Sequence, residues 1–255
     1  MALDRRRSAL AARILHAVAT ARRHLHRAAG AVRMALVGMA PAAAGPACAS
    51  GPYAVDDAAI TPAGAGQVES WMSLARRGHL WILLPATTLP RLPWAEWTLG
   101  FDTGRDAGAR ATGLQLQGKF LLSAAVEEVG DWGLAASAGA RLGLDRGSAH
   151  DVILNGILSF LVRERLLLHG NLGWTRLGAE GRGALTVGAR AEATLVPDRL
   201  TLHAEVFGLQ GFGPGFQLGL RPTIAGGQVD LELVASHNLA GERSTWATLG
   251  VAVRF

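Results

Sequence analysis

The chain has 255 residues, a formal net charge of +5 and an isoelectric point near 10.8, figures that first suggest a nucleic-acid binder. Eight of its arginines (Arg5, Arg6, Arg7, Arg13, Arg22, Arg23, Arg27 and Arg33) and one acid (Asp4) lie in residues 1–49, leaving 17 basic against 19 acidic groups in the remainder. That near-neutral body, with Lys119 its only lysine, has no basic stripe to neutralise phosphates, and Cys48 as the only cysteine excludes an internal disulfide or a thiolate metal cluster.

In chain order, the leader comes first. Residues 34–55 carry no charge, a length that raises a transmembrane helix, but Pro41, Pro46 and Pro52 interrupt it. An export signal fits better: Arg33, an apolar core over 34–44, then Ala47-Cys48-Ala49 as a small-x-small site cleaved before Ser50. The part upstream exceeds an ordinary n-region, which a start codon assigned too early would explain, with translation beginning near Val32. An Arg-rich transit peptide is the rival reading. Gly45-Pro46-Ala47 before Cys48 lacks the Leu of a lipoprotein box, which argues against lipidation. The expected organisation is a leader over 1–49, a periplasmic amino-terminal segment over 50–66 and a β-barrel over 67–255.

After residue 60 no stretch sustains a 3.6-residue apolar period, whereas period-two alternation recurs in segments of about ten residues. Strands are expected near 67–75, 78–84, 95–102, 111–122, 132–142, 152–162, 165–175, 183–195, 199–208, 215–223, 228–237 and 245–255. In the last, Leu249, Val251, Val253 and Phe255 point one way and Thr248, Gly250, Ala252 and Arg254 the other. A soluble sandwich with its apolar face inward shows the same alternation. The export signal, the terminal Phe255 and tryptophans near expected strand ends (Trp71, Trp81, Trp132, Trp174 and Trp246) favour a closed antiparallel barrel in the outer membrane, its apolar face on lipid. Twelve strands is an even number, as both ends in the periplasm require. The connections after odd strands (102–110, 143–151, 238–244) are expected to be longer than those after even ones (163–165, 197–198, 225–227), with 126–131 departing from that rule.

Residues 51–73, GPYAVDDAAITPAGAGQVESWMS, carry Asp56, Asp57 and Ala58 before a Gly64-x-Gly66 turn and Glu69 in the first strand. This signature, with the ending HNLAGERSTWATLGVAVRF, resembles a bacterial outer-membrane barrel family named for the MetA pathway of phenol degradation and described as transporter-like. The resemblance is carried by the two chain ends and implies an outer-membrane location and passage of small compounds, aromatic or hydrophobic ones among them.

If lipid meets the apolar face, then Glu96, Lys119, Arg141, Arg190, Glu192, His203, Glu205, Asp230, Glu232 and Arg254 face inward as lumen-lining residues and pair across strands. Twelve strands give a bore between filled and open barrels, so a narrow, weakly conducting pore is expected, selective by size and polarity more than by charge. A solid polar interior that serves only stability is the alternative. Asp56 and Asp57 could bind a cation, but neighbouring side chains on extended backbone point apart, which favours a hydrogen-bonded turn; Glu127 and Glu128 read as a surface turn. Ser236, His237, Glu242 and Ser244 crowd one outer loop and raise a barrel lipid hydrolase. Residues 211–215 are glycine-rich but lack the Lys-Ser/Thr ending of a phosphate loop. No cofactor, metal, catalytic residue or nucleic acid is expected. The expected partners are the outer-membrane bilayer, a small solute and the barrel assembly machinery, for which Phe255 is the signal.

Overall fold

The computed structural model describes residues 51–255 apart from 77, 107–108, 124–125, 146–149, 179–180, 212 and 240–244. The leader, Cys48 and the cleavage point before Ser50, together with Glu242 and Ser244, lie outside the described residues.

Twelve strands follow one another: β1 (Gly66–Ala75), β2 (Gly78–Thr88), β3 (Ala95–Asp106), β4 (Ala109–Leu121), β5 (Trp132–Gly143), β6 (His150–Arg163), β7 (Leu166–Leu177), β8 (Arg182–Val196), β9 (Leu200–Leu209), β10 (Gly215–Ile224), β11 (Val229–Asn238) and β12 (Thr245–Arg254). Each pairs antiparallel with its sequence neighbours, and β1 pairs with β12, which closes the barrel and leaves no sheet edge. The seam holds to its end: Gly66 N donates to Phe255 O at 2.8 Å and Phe255 N to Gly66 O at 2.9 Å. At Gly66 a Cβ would meet the Phe255 ring, so glycine there lets the terminal aromatic lie across bare backbone.

Alternation decides which face is which. Leu99, Leu116, Leu172, Val187, Val206, Leu218 and Leu249 leave more than half of their surface exposed, while Arg190, His203, Glu232 and Asp230 are almost fully buried. A soluble barrel would be the inverse, packing leucine inward and wetting its charges. Closure and an apolar outer belt make this a membrane-spanning barrel, since lipid is the solvent in which such a surface is stable.

The aromatic residues are distributed differently from expectation. At the end where β2 turns into β3, the Trp94 and Trp97 rings pack on Phe120 at centroid distances of 6.1 and 5.7 Å, and Trp132 pairs across strands with Phe160. Trp81, Trp132 and Trp174 belong to the outer surface. Trp71 instead lines the interior, and Trp246 is paired with buried Ser236, because each falls on the inward phase of its strand.

One expectation about connections is corrected. The hairpin expected over 102–110 shrinks to residues 107–108, because β3 and β4 stay paired out to Asp106 and Ala109. The longest connection, 122–131, follows an even strand, the departure expected at 126–131. In that surface turn Asp131 accepts the N–H groups of Glu127 and Glu128 at 3.1 and 2.9 Å, which holds its carboxyl below the usual range. At the β8–β9 turn Asp198 takes a left-handed conformation (φ 58°), which Asp tolerates better than most residues.

Candidate functional site

Residues 51–65, expected in the periplasm, run through the inside of the barrel. The reason is their hydrogen bonding, which reaches strands all round the wall. Tyr53 Oη donates to Glu232 Oε2 of β11 at 3.1 Å, and the N–H groups of Ala54 and Val55 donate to the two carboxylate oxygens of Glu205 of β9 at 2.8 and 3.1 Å. Ala58 N donates to Ser159 Oγ of β6 at 2.8 Å and Thr61 N to Glu96 Oε2 of β3 at 2.8 Å. A chain without a strand partner must satisfy its backbone on side chains, and this wall supplies them.

The signature acids follow the extended-chain rule and point apart. Asp56 pairs with Lys119 of β4 at 2.8 Å; Asp57, 2% exposed, pairs with Arg190 of β8 at 3.3 Å. Both also accept local N–H groups as the expected hydrogen-bonded turn does, Asp57 N donating to Asp56 Oδ1 and Ala59 N to Asp57 Oδ1, each at 2.9 Å, and no cluster of metal-ligating side chains occurs among the described residues. Of the other signature residues, Gly64 is left-handed (φ 82°) and donates its N–H to Thr88 O at 2.7 Å, while Glu69 is buried in the interior.

The remaining interior charges form two groups. On one side Arg141 grips Asp102 through Nε at 2.9 Å and Nη2 at 2.6 Å. On the other, Glu192 accepts Arg190 at 2.7 Å and faces His169 Nε2 at 3.2 Å and His203 Nδ1 at 3.4 Å. Arg221 pairs with Glu232, and Arg254 with Asp230. Tyr53 stacks on His203 at 4.8 Å, with the Arg190 and Arg221 guanidiniums 5.2 and 5.8 Å from its ring centre. The wall is shaped to this ring: a Cβ at Gly219 would collide with Tyr53 Oη, and one at Gly188 with Val55.

Asp102, His169, Ser159 and Arg221 take part in these contacts, and the sequence reading did not single them out. Ser159 and His169 are register partners across β6 and β7, with Oγ and Nδ1 2.7 Å apart, and His169 continues to Glu192. The order serine, histidine, carboxylate resembles a hydrolytic triad, but Ser159 is 3% exposed and Ala58 N occupies its oxygen, so the arrangement serves to seat the segment. Of the residues that raise hydrolysis, the two described ones point apart: Ser236 is buried inward, whereas neighbouring His237 turns the other way and meets Thr245 Oγ1 at 2.8 Å.

The segment leans on the β7–β11 wall and leaves a cavity of about 300 Å³ beside β1–β6, lined by Gln67, Glu69, Trp71, Leu84, Lys119 and Ile153 among others.

Residues 35–255 match the family model described as "Uncharacterised conserved protein UCP029691". The chain belongs to this family. The match establishes that membership and does not extend to the phenol-degradation label read from the two chain ends. No curated protein matches the sequence significantly. Among solved structures, the family's barrel is similar to the KdgM porin (TM-score 0.57, 12% identity, covering 74% of this chain and 99% of the porin). It is also similar to the COG4313 outer membrane channel from Pseudomonas putida F1 (0.55, 12%, 78% and 98%) and to the NanC porin (0.55, 6%, 74% and 98%). At these identities the likeness shows a shared fold, that of outer-membrane barrels.

Proposed function

We propose that the protein is an outer-membrane channel for small solutes, with residues 51–65 narrowing its bore to a path along the β1–β6 wall. The observation that carries this reading is the cavity of about 300 Å³ between the segment and that wall. Glu96, Lys119, Glu69 and Asp56 line it, whereas Arg190, Glu192, His203, Glu205 and Glu232 hold the segment to the opposite wall. Of the ten charged residues expected to line the lumen, Glu96 and Lys119 bound the path, Arg190, His203, Glu205 and Glu232 touch the segment and Glu192 braces Arg190, while Arg141 pairs with Asp102 and Arg254 with Asp230. The porins and the channel that share this fold support the reading, and one of them, KdgM, has been solved with disordered oligogalacturonate.

In planar bilayers the purified protein should give small, resolvable current steps. Ser137 of β5 lines the cavity, so Ser137→Phe should cut unit conductance by half or more without altering the heat-dependent gel mobility of a folded barrel. Steps of unchanged size would place the path elsewhere, and a wild-type protein that passes no current would support the purely structural barrel.

The same reading gives Phe255 a role in assembly, since it completes the β12–β1 seam at Gly66. Deleting Phe255 should lower the amount of assembled protein far more than Arg254→Ala, which removes only the contacts to Asp230 and Gly227 O. Equal losses in the outer-membrane fraction would make the terminal aromatic ordinary packing.

A further inference from the structure

The cavity left beside the segment has a definite chemistry. Gln67, Glu69 and Trp71 alternate with Val68 and Ser70 along β1, so they share its inward face, successive members about 7 Å apart. Gln67 and Glu69 are only 5% and 6% exposed, yet Gln67 Oε1 and Glu69 Oε1 have no hydrogen-bond partner among the described residues. A buried acceptor left without a donor costs about 1–3 kcal/mol, more when charged, so two of them on one cavity wall mark a place where a donor belongs.

The other charged residues of the lining are engaged. Lys119 Nζ donates to Asp56 at 2.8 Å and to the carbonyls of Asp57 and Ala59 at 3.1 and 3.0 Å, and Glu96 accepts the Thr61 N–H. Glu69 therefore brings to the cavity wall a carboxyl group with one oxygen unpaired among the described residues. The same cavity is lined by the Trp71 indole and Leu84, which flank Glu69 on β1 and β2, and by Ile153 of β6.

We propose that this cavity binds small primary ammonium ions carrying a short apolar body. The ammonium donates to Glu69 Oε1 and Gln67 Oε1, and the body rests on Trp71, Leu84 and Ile153. An ammonium supplies both the several donors that two acceptors need and the charge that Glu69 lacks, and the face of Trp71 attracts a cation further. A carboxylate of the same shape would meet Glu69 and Asp56 as like charges. This inference rests on the cavity being the solute path, and it narrows that path's substrate to a class.

The test is calorimetric titration of the full-length, detergent-folded barrel at pH 8 with phenethylammonium chloride, against sodium 3-phenylpropionate as the anionic isostere. Saturable binding of the cation and none of the anion is expected. Glu69→Gln should weaken cation binding at least tenfold and Trp71→Leu several-fold, in protein whose gel mobility still shifts on heating. No saturable cation binding, equal binding of cation and anion, or unchanged affinity in folded Glu69→Gln would overturn the proposal. Amine binding by a barrel that passes no current upholds the site and removes the channel reading, and current without amine binding does the reverse.

Discussion

Replacing Glu205 and Glu232 together by Ala should raise unit conductance several-fold, because these two carboxylates hold residues 51–65 against the β7–β11 wall. Glu205 receives two backbone N–H groups of the segment, and Glu232 receives the Tyr53 hydroxyl. Hydrogen bonds to charged acceptors contribute about 1.5–3 kcal/mol each, so losing three of them outweighs the single contacts left at Ser159 and Glu96. What remains farther along the segment are the ion contacts at Asp56 and Asp57 and the Lys119 bonds to the Asp57 and Ala59 carbonyls, and Tyr53 keeps only its ring contacts with His203, Arg190 and Arg221. Because the double variant also frees Arg221 from Glu232, a second variant isolates the cause. Gly219→Leu leaves every charge in place and drives a side chain into the volume of Tyr53 Oη. Both variants should conduct more than wild type. Unchanged permeability together with a lower thermal unfolding temperature would mean that the segment is filler in a barrel without a path.

The largest loss of stability is expected from Arg190→Met. Arg190 is 1% exposed, bridges Glu192 at 2.7 Å and Asp57 at 3.3 Å, and lies over the Tyr53 ring. Taking away one partner of a buried ionic group leaves the others uncompensated, at about 3–5 kcal/mol. Urea unfolding of the barrel in lipid vesicles should show a loss of that size. Arg190→Lys should recover part of it, since an ammonium is a compact charge that cannot span two carboxylates as a guanidinium does. In a Glu192→Gln background the same Arg190→Met change should cost less, the difference measuring the coupling between the two. A loss below 1 kcal/mol would show that water reaches this group freely.

Much of this architecture is written in the alternation of the sequence. The expected strand at 132–142 is found as Trp132–Gly143, and that at 245–255 as Thr245–Arg254, because runs of apolar residues at every second position, alanine and leucine in the first and leucine and valine in the second, have a single apolar solvent to face. The strand ends that were misjudged have a common cause. β2 runs past Pro85 to Thr88, and β3 past Asp102 to Asp106, where a proline and a run of charge look like a turn. In this barrel the ladder to β3 lapses at Leu84 and Pro85 and resumes in the same register, and the Asp102 charge is taken up inside by Arg141. Interior pairs such as Ser159 with His169 or Arg190 with Glu205 depend on which residues stand opposite one another, and a single sequence does not display register. Residues 51–65 have no alternation at all, so nothing local marks them as interior; their partners lie as far away as Glu232.

Asp56 and Asp57 are neighbours in the chain, yet they tie β4 to β8 through Lys119 and Arg190. Mechanically this is a crossbar. A closed sheet without one can flatten into an ellipse under lateral pressure at little cost, since its hydrogen bonds merely shear. With the crossbar in place, flattening along that chord must compress or rupture ion pairs. The cross-section should therefore stay nearly constant as the surrounding lipid is made thicker or thinner. Its stiffness is set by two adjacent acids whose outward reach is the simple geometry of an extended backbone.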